Sequence, residues 1–316
     1  MGKSDYSIED LYKDIIKINN YFFEKKLKDG GTVLIVNEPI HDYCHYENNS
    51  GSGKCDGYYQ MASSGVIHLL KNLKNNHKLE DDKLAEYAIL WLNYKLNIFQ
   101  KTKGTKLNDF YTNYIETNND YNKEINGNDG LTYKDIINKK KDLMDMDIKE
   151  ISHFNYPFSL LCYLYSMVYD AYTYCKFYSG FAKDLADSFI IRNKLPNNKE
   201  GSSYRKLLST LSDDYNKLKD IYNRKKSCDF PSIPKIEYQK RPVVDSEQIL
   251  GHTSEVTSSN SSILSTLIPG LSTFSVIPVF LGIAYKYSLF GVDKLFQRQY
   301  LRTKLKKVKK KMKLNI

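Results

Sequence analysis

The chain has 316 residues, of which 41% are hydrophobic, and a formal net charge of +10 at pH 7. This length and apolar content suffice for one or two domains with a hydrophobic core. Eleven of the 47 Lys and Arg residues, but only one of the 37 Asp and Glu residues, lie from Lys286 onward. Because the first 285 residues are formally neutral, the composition excludes a globular domain that binds nucleic acid through a basic patch.

The N-terminal part of the chain is predicted to form an amphipathic helix followed by a long loop. Apolar residues recur at helical spacing over residues 8–27, and Ser7 with Asp10 makes a helix-capping pair. Residues 29–57 contain clusters of Gly, Pro and Asn, which are typical of loops. Within that loop, Thr32–Val36 is predicted to be a short extended piece.

From Gln60 onward, the apolar periodicity predicts a series of helices that build an all-α N-terminal domain. Residues 84–96 carry the single Trp on a stripe typical of a core-facing helix, which Lys95 joins through its aliphatic stem. Within a predicted helix over 147–170, residues 158–169 are apolar on nearly every side but too few to cross a bilayer, so a buried central helix is expected. The other predicted helices cover residues 106–121, 132–144, 173–193 and a stripe from Tyr204 to Tyr222.

The C-terminal part is predicted to contain a linker and a single membrane-spanning helix. Three prolines end the helical domain, which we assign to residues 1–230, and residues 231–262 form a linker or stalk rich in Ser and Thr. Residues 256–285 carry no charge, and the apolar segment 267–285 would extend about 28 Å as a helix, close to the hydrocarbon thickness. A buried helix of a soluble domain is the alternative, but the basic flank argues against it. We therefore predict a transmembrane helix over residues 263–285.

The tail, residues 286–316, is strongly basic. The positive-inside rule predicts that it lies on the cytoplasmic side of the membrane, with the N-terminal domain on the far side. Three interpretations of the tail stay open: a basic amphipathic helix on anionic lipid, a solvated stop-transfer tail, or a site for an acidic partner protein. The residues that would form its basic patch are Lys304, Lys306, Lys307, Lys309, Lys310 and Lys311.

The sequence contains five cysteines, none of them in a CxxC pair: Cys44, Cys55, Cys162, Cys175 and Cys228. In an oxidising compartment we expect disulfides with one thiol left over, whereas in the cytosol all five would be reduced core residues. His41 and His45 beside the first two cysteines match no zinc spacing, and Gly51–Lys54 lacks two residues of a phosphate loop. We therefore predict no catalytic, cofactor or metal site, and no enzyme.

Four segments of the chain are similar to proteins of the Plasmodium interspersed repeat (PIR) family, in its rodent-malaria branch of YIR, BIR and CIR proteins: residues 84–96, 137–152, 207–219 and 280–312. The resemblance implies a member of a clonally variable multigene family with a helical, cysteine-containing domain and one membrane helix. It also implies export into the infected erythrocyte, a role in immune evasion or host interaction, and no enzymatic activity. The family usually has a cysteine near the position of Leu11 and Tyr12, so the resemblance implies one unpaired thiol without identifying it.

Two functional hypotheses follow. The first is a variant exported or surface antigen whose N-terminal domain binds a host receptor or meets antibody. Because that domain is neutral, such binding would depend on shape and on aromatic anchors such as exposed tyrosines. The second is a structural or scaffolding membrane protein that acts through its basic tail on membrane lipid or on an acidic host protein.

Overall fold

The computed structural model describes residues 7–27, 30–46, 53–99, 101–125, 130–168, 175–226 and 228–236. Residues Met1–Pro242 form one compact unit. The described residues contain ten α-helices and one two-stranded sheet, which confirms the predicted helical domain and adds a hairpin that the all-α class did not include. The helices are α1 (Ile8–Asn19), α2 (Gly57–His77), α3 (Asp81–Ile98), α4 (Leu107–Phe110), α5 (Tyr133–Asn138), α6 (Lys141–Met144), α7 (Ile148–Ser152), α8 (Asn155–Ser166), α9 (Cys175–Asn193) and α10 (Ser203–Lys226).

Helices α2 and α3 form the centre of the domain. They pack against each other, while α1 packs on α2 and α8, and α10 packs on α8 and α9. Trp91 of α3 is fully buried, as its position on the apolar stripe predicts. Its ring lies directly over Gly65 of α2, where any side chain would collide with it. The absence of a side chain at position 65 therefore allows the two helices to approach closely.

The predicted helix over residues 8–27 is correct at its start and wrong at its end. Ser7 caps α1 by accepting a hydrogen bond from the Asp10 N–H at 3.4 Å. The helix ends at Asn19, and strand β1 (Phe22–Lys26) then pairs antiparallel with strand β2 (Thr32–Val36). Phe22 continues the helical spacing of apolar residues past Asn19. It is buried in the core as a strand residue and not as part of the helix.

Two other predicted helices are broken into shorter pieces. The prediction over 106–121 corresponds to α4, a π-helical turn (Tyr111–Ile115) and a 3₁₀ turn (Asn119–Asn122). The prediction over 147–170 corresponds to α7 and α8, separated at His153 and Phe154. Phe154 is fully buried at this break, so the chain bends to place it in the core.

The predicted membrane helix over 263–285 and the tail over 286–316 lie outside the described residues, as does the linker beyond residue 236. Of the helices in the described part of the chain, none combines the length and the apolar character that crossing a membrane requires.

Candidate functional site

Two disulfides join neighbouring elements of the domain. Cys44, after a 3₁₀ helix at Glu38–Tyr43, is bonded to Cys55, just before α2, with the Cα atoms 5.0 Å apart. Cys175 at the start of α9 is bonded to Cys228 beyond the end of α10, with the Cα atoms 5.5 Å apart. These bonds anchor the start of α2 and tie the last two helices of the domain together.

Cys162 of α8 is the free cysteine. Burial raises the pKa of its thiol, which makes it a poor nucleophile at neutral pH. Burial and the Asp214 carboxylate raise the pKa of the Tyr12 phenol on α1, and a smaller electrostatic contribution comes from Cys162, which lies nearby. The unpaired thiol thus lies beside the position where the resemblance places the family's additional cysteine.

Two histidines, His41 and His45, lie beside the first disulfide. The His41 Nδ1 atom accepts a hydrogen bond from the Cys55 N–H at 3.0 Å, and the His45 Nδ1 atom lies 2.8 Å from Asp120 Oδ2. Both neighbouring sulfur atoms are committed to the disulfide. Among the described residues, no group of three or more metal-ligating side chains occurs. These side chains therefore organise the loop and the shallow surface pocket that it lines.

Asp214, whose carboxylate is buried, joins four helices of the core. Asp214 of α10 accepts hydrogen bonds from the hydroxyls of Tyr87 at 2.7 Å and Tyr12 at 2.9 Å. Tyr165 of α8 donates to the backbone carbonyl of the same residue at 2.8 Å. Burial raises the pKa of the Asp214 carboxyl to about 6, although the hydrogen bonds from the tyrosines act in the opposite direction. The cluster specifies how α1, α3, α8 and α10 meet.

Lys95 is fully buried, whereas the sequence predicted burial of its stem alone. Its ammonium donates hydrogen bonds to the backbone carbonyls of Phe22 at 2.6 Å and Asn19 at 3.1 Å. The same ammonium lies 4.0 Å from the centre of the Phe22 ring, as in a cation–π contact. Burial lowers the pKa of this group to about 7. Lys95 therefore caps the end of α1 and holds the start of β1 against the core.

The tyrosines among the described residues are buried or half-buried, so none of them is a fully exposed ring. Whether the half-buried ones serve as binding anchors stays a prediction. Tyr12 stacks on Tyr165 with ring centres 4.2 Å apart, and Tyr222 stacks on Phe230 at 4.4 Å. Of the residues predicted as sites, the five cysteines lie in the described domain, and the basic patch of the tail lies outside it. Asp214 is not among the residues predicted as sites, although an acid three residues after Leu211 on an apolar stripe is a readable signal.

The described fold defines a helical domain that is tied by disulfides and stabilised internally by tyrosine hydrogen bonds. A family model described as "Plasmodium variant antigen protein Cir/Yir/Bir" matches residues 12–286, so the chain belongs to this PIR family of variant antigens. The predicted family membership is thereby confirmed. A solved structure titled "Structure of a Plasmodium PIR protein ectodomain" is 29% identical, with a TM-score of 0.53, over 72% of this chain and 99% of that one. A comparison with curated proteins finds no match.

Proposed function

We propose that this protein is a variant antigen exported to the malaria-infected erythrocyte, with its N-terminal domain facing host receptors or antibodies. The observation that carries the proposal is the pair of disulfides within the domain of a variant-antigen family member. Disulfides form and persist in oxidising compartments, whereas cytosolic thiols are kept reduced. The bonds therefore favour a domain that is exported away from a cytosol.

The charge distribution of the sequence supports the same orientation. The apolar segment over 263–285 is followed by a tail with eleven Lys and Arg residues, which is the pattern of a cytoplasmic flank. In this orientation the chain is a single-pass membrane protein with its domain on the side opposite the basic tail. The positive-inside rule assigns the domain to the non-cytoplasmic side of the membrane. Disulfides form on that same side.

The described domain is better suited to presenting a variable surface than to catalysing a reaction at an internal site. Its buried carboxylate and its buried lysine are both engaged in hydrogen bonds within the core. With such an interior held fixed, surface residues can vary without loss of the fold, because exposed substitutions away from special features usually change stability by less than about 0.5 kcal/mol. Immune evasion through variable surface residues fits this division between core and surface.

Protease treatment of intact infected erythrocytes tests the proposal, with separate antibodies against residues 1–230 and the tail. We expect loss of the full-length signal and of the domain, with the tail retained in a short protected fragment. Detergent-permeabilised cells provide the control, because both parts should then be digested. Protection of both parts in intact cells would contradict surface presentation and would favour the scaffolding function, in which the tail acts on anionic lipid or an acidic host protein.

A further inference from the structure

The β-hairpin carries most of the exposed large hydrophobic side chains of the described residues. Among the described residues, four large hydrophobic side chains are exposed, and three of them lie on or next to this hairpin. These are Leu27, Val33 and Val36, with 43%, 38% and 36% of their surface accessible. Exposed apolar side chains gathered on one hairpin of a formally neutral domain mark that hairpin as a candidate interaction surface.

The two faces of the hairpin have different surroundings. On one face, Phe22 is fully buried and Leu34 packs against the core. Side chains alternate between faces along a strand, and residues paired across two strands share a face. Phe23 and its partner Ile35 therefore lie on the opposite face together with exposed Val33. On this outer face Val33 is paired with Lys25, so the apolar side chains there are those of Phe23, Val33 and Ile35.

Two hydrogen bonds beside the hairpin show which backbone groups of each strand point toward the other strand. The Leu27 N–H donates to the Gly31 carbonyl, and the Asn37 N–H donates to the Tyr21 carbonyl, each at 2.7 Å. Hydrogen-bonded and non-bonded pairs alternate along an antiparallel ladder. The odd-numbered residues of β2 therefore direct their N–H and C=O groups toward β1.

The even-numbered residues of β2, which are Thr32, Leu34 and Val36, direct their N–H and C=O groups to the outer edge of the hairpin. Within the part of the chain that the structure describes, no hydrogen bond reaches these outward groups. Such an edge is a template for pairing with another strand. The sequence of β2, Thr-Val-Leu-Ile-Val, contains no charge, although natural proteins commonly protect an exposed edge with charged residues.

We propose that β2 is a self-association edge and that its partner is β2 of a second copy of this chain. With Leu34 opposite Leu34 of the second copy, antiparallel pairing places Thr32 opposite Val36 at both ends. The three outward-facing residues then all lie in hydrogen-bonded pairs, which gives about six interchain hydrogen bonds. Val33 lies opposite Ile35 of the second copy, so two β-branched cross-strand pairs form on the outer face.

The charge pattern selects this partner and limits the assembly to two copies. A strand with charged side chains would place those charges opposite uncharged residues, whereas a second β2 brings no charge into the contact. The other edge of the resulting four-stranded sheet is β1, which carries Glu24, Lys25 and Lys26. Charged side chains on an edge strand protect it against pairing, so we expect the sheet to stop at four strands. This inference does not depend on the proposed antigen function.

Sedimentation velocity of the compact unit, residues 1–242, tests the proposal from about 1 µM to 1 mM, which covers weak association. We expect a monomer–dimer equilibrium. Amide exchange measured across the same range identifies the interface. The amides of Thr32, Leu34 and Val36 should become protected as the concentration rises, whereas those of Val33 and Ile35, which already bond to β1, should not change.

Two matched double variants distinguish edge pairing from any other contact. Val33→Glu with Ile35→Glu places like charges opposite each other in both cross-strand pairs and should weaken dimerisation by about tenfold or more. Val33→Glu with Ile35→Lys is equally polar but places opposite charges across the contact, and it should restore most of the association. Circular dichroism and urea midpoints should show that both variants are folded.

A domain that stays monomeric up to about 1 mM would overturn the proposal, and the edge would then be available to an extended segment of another protein. A dimer that forms equally well in both double variants would also overturn it, because the contact would then lie elsewhere on the domain.

Discussion

Replacing Gly65 with Ala tests the closest helix contact in the core. A Cβ atom at this position would lie 2.3 Å from the tip of the Trp91 ring, whereas carbon atoms in ordinary contact are about 3.5–4.0 Å apart. The ring would have to move by more than about 1 Å, and it is fully buried. Overpacking of this kind typically costs about 1–3 kcal/mol of stability, and occasionally more.

The substitution also has a favourable effect, which a matched variant measures. Alanine is better than glycine in a helix interior by about 1 kcal/mol. Gly180 lies inside α9, is exposed, and has open space where a Cβ would be. Gly180→Ala should therefore stabilise the domain by up to about 1 kcal/mol. The difference between the two variants isolates the packing cost at Gly65, which we expect to be about 1–3 kcal/mol.

The assay is the unfolding of residues 1–242 in urea, monitored by tryptophan fluorescence. Trp91 is the only tryptophan of the chain, so the signal reports directly on the ring that the substitution displaces. Gly65→Ala should unfold at a lower urea concentration than Gly180→Ala, with an altered native-state emission. Equal stability of the two variants would refute the tight contact between α2 and α3.

Three further predictions concern the polar groups and thiols of the core. Tyr12→Phe removes a hydrogen bond to the buried Asp214 carboxylate and should lower the free energy of unfolding by about 1.5–3 kcal/mol in urea titrations at pH 7.5. Lys95 has a folded-state pKa of about 7, below its value of about 10.4 in an unfolded chain, so raising the pH from 7 to 8.5 should stabilise the wild type relative to Lys95→Met by about 2 kcal/mol. Alkylation of the unreduced, unfolded domain followed by mass spectrometry should label one thiol, at Cys162.

Each of these three predictions has a clear contrary outcome. Tyr163→Phe is the control for the first, because no hydrogen bond from the Tyr163 hydroxyl to other described residues is present. Equal loss of stability in the two Phe variants would show that the carboxylate contact contributes nothing. A parallel pH response of the wild type and Lys95→Met would mean that the buried amine keeps an ordinary pKa. Labelling of more than one thiol would contradict the two disulfides.

Local sequence determined the helical character of the domain and several helix ends. Thr132 and Asp135 form a capping box at the start of the predicted helix over 132–144, with each side chain bonded to the other residue's backbone. Helical spacing also placed Trp91 on a buried face. These features depend on residues three or four positions apart, because neighbouring turns of one helix bring them together.

Which polar residues are internal, and where helices stop, depends on contacts between segments that are distant in the sequence. Tyr12 and Asp214 are 202 residues apart in the chain, and nothing in either local segment indicates that they meet. The end of α1 at Asn19 depends on the ammonium of Lys95, 76 positions away, and on the pairing of β1 with β2. The sequence supplied the odd number of cysteines, but the assignment of Cys162 as the free one required the helices to be packed. A hydrogen bond or disulfide between distant segments exists only after the core has brought them together, whereas caps and periodicity act within a single turn.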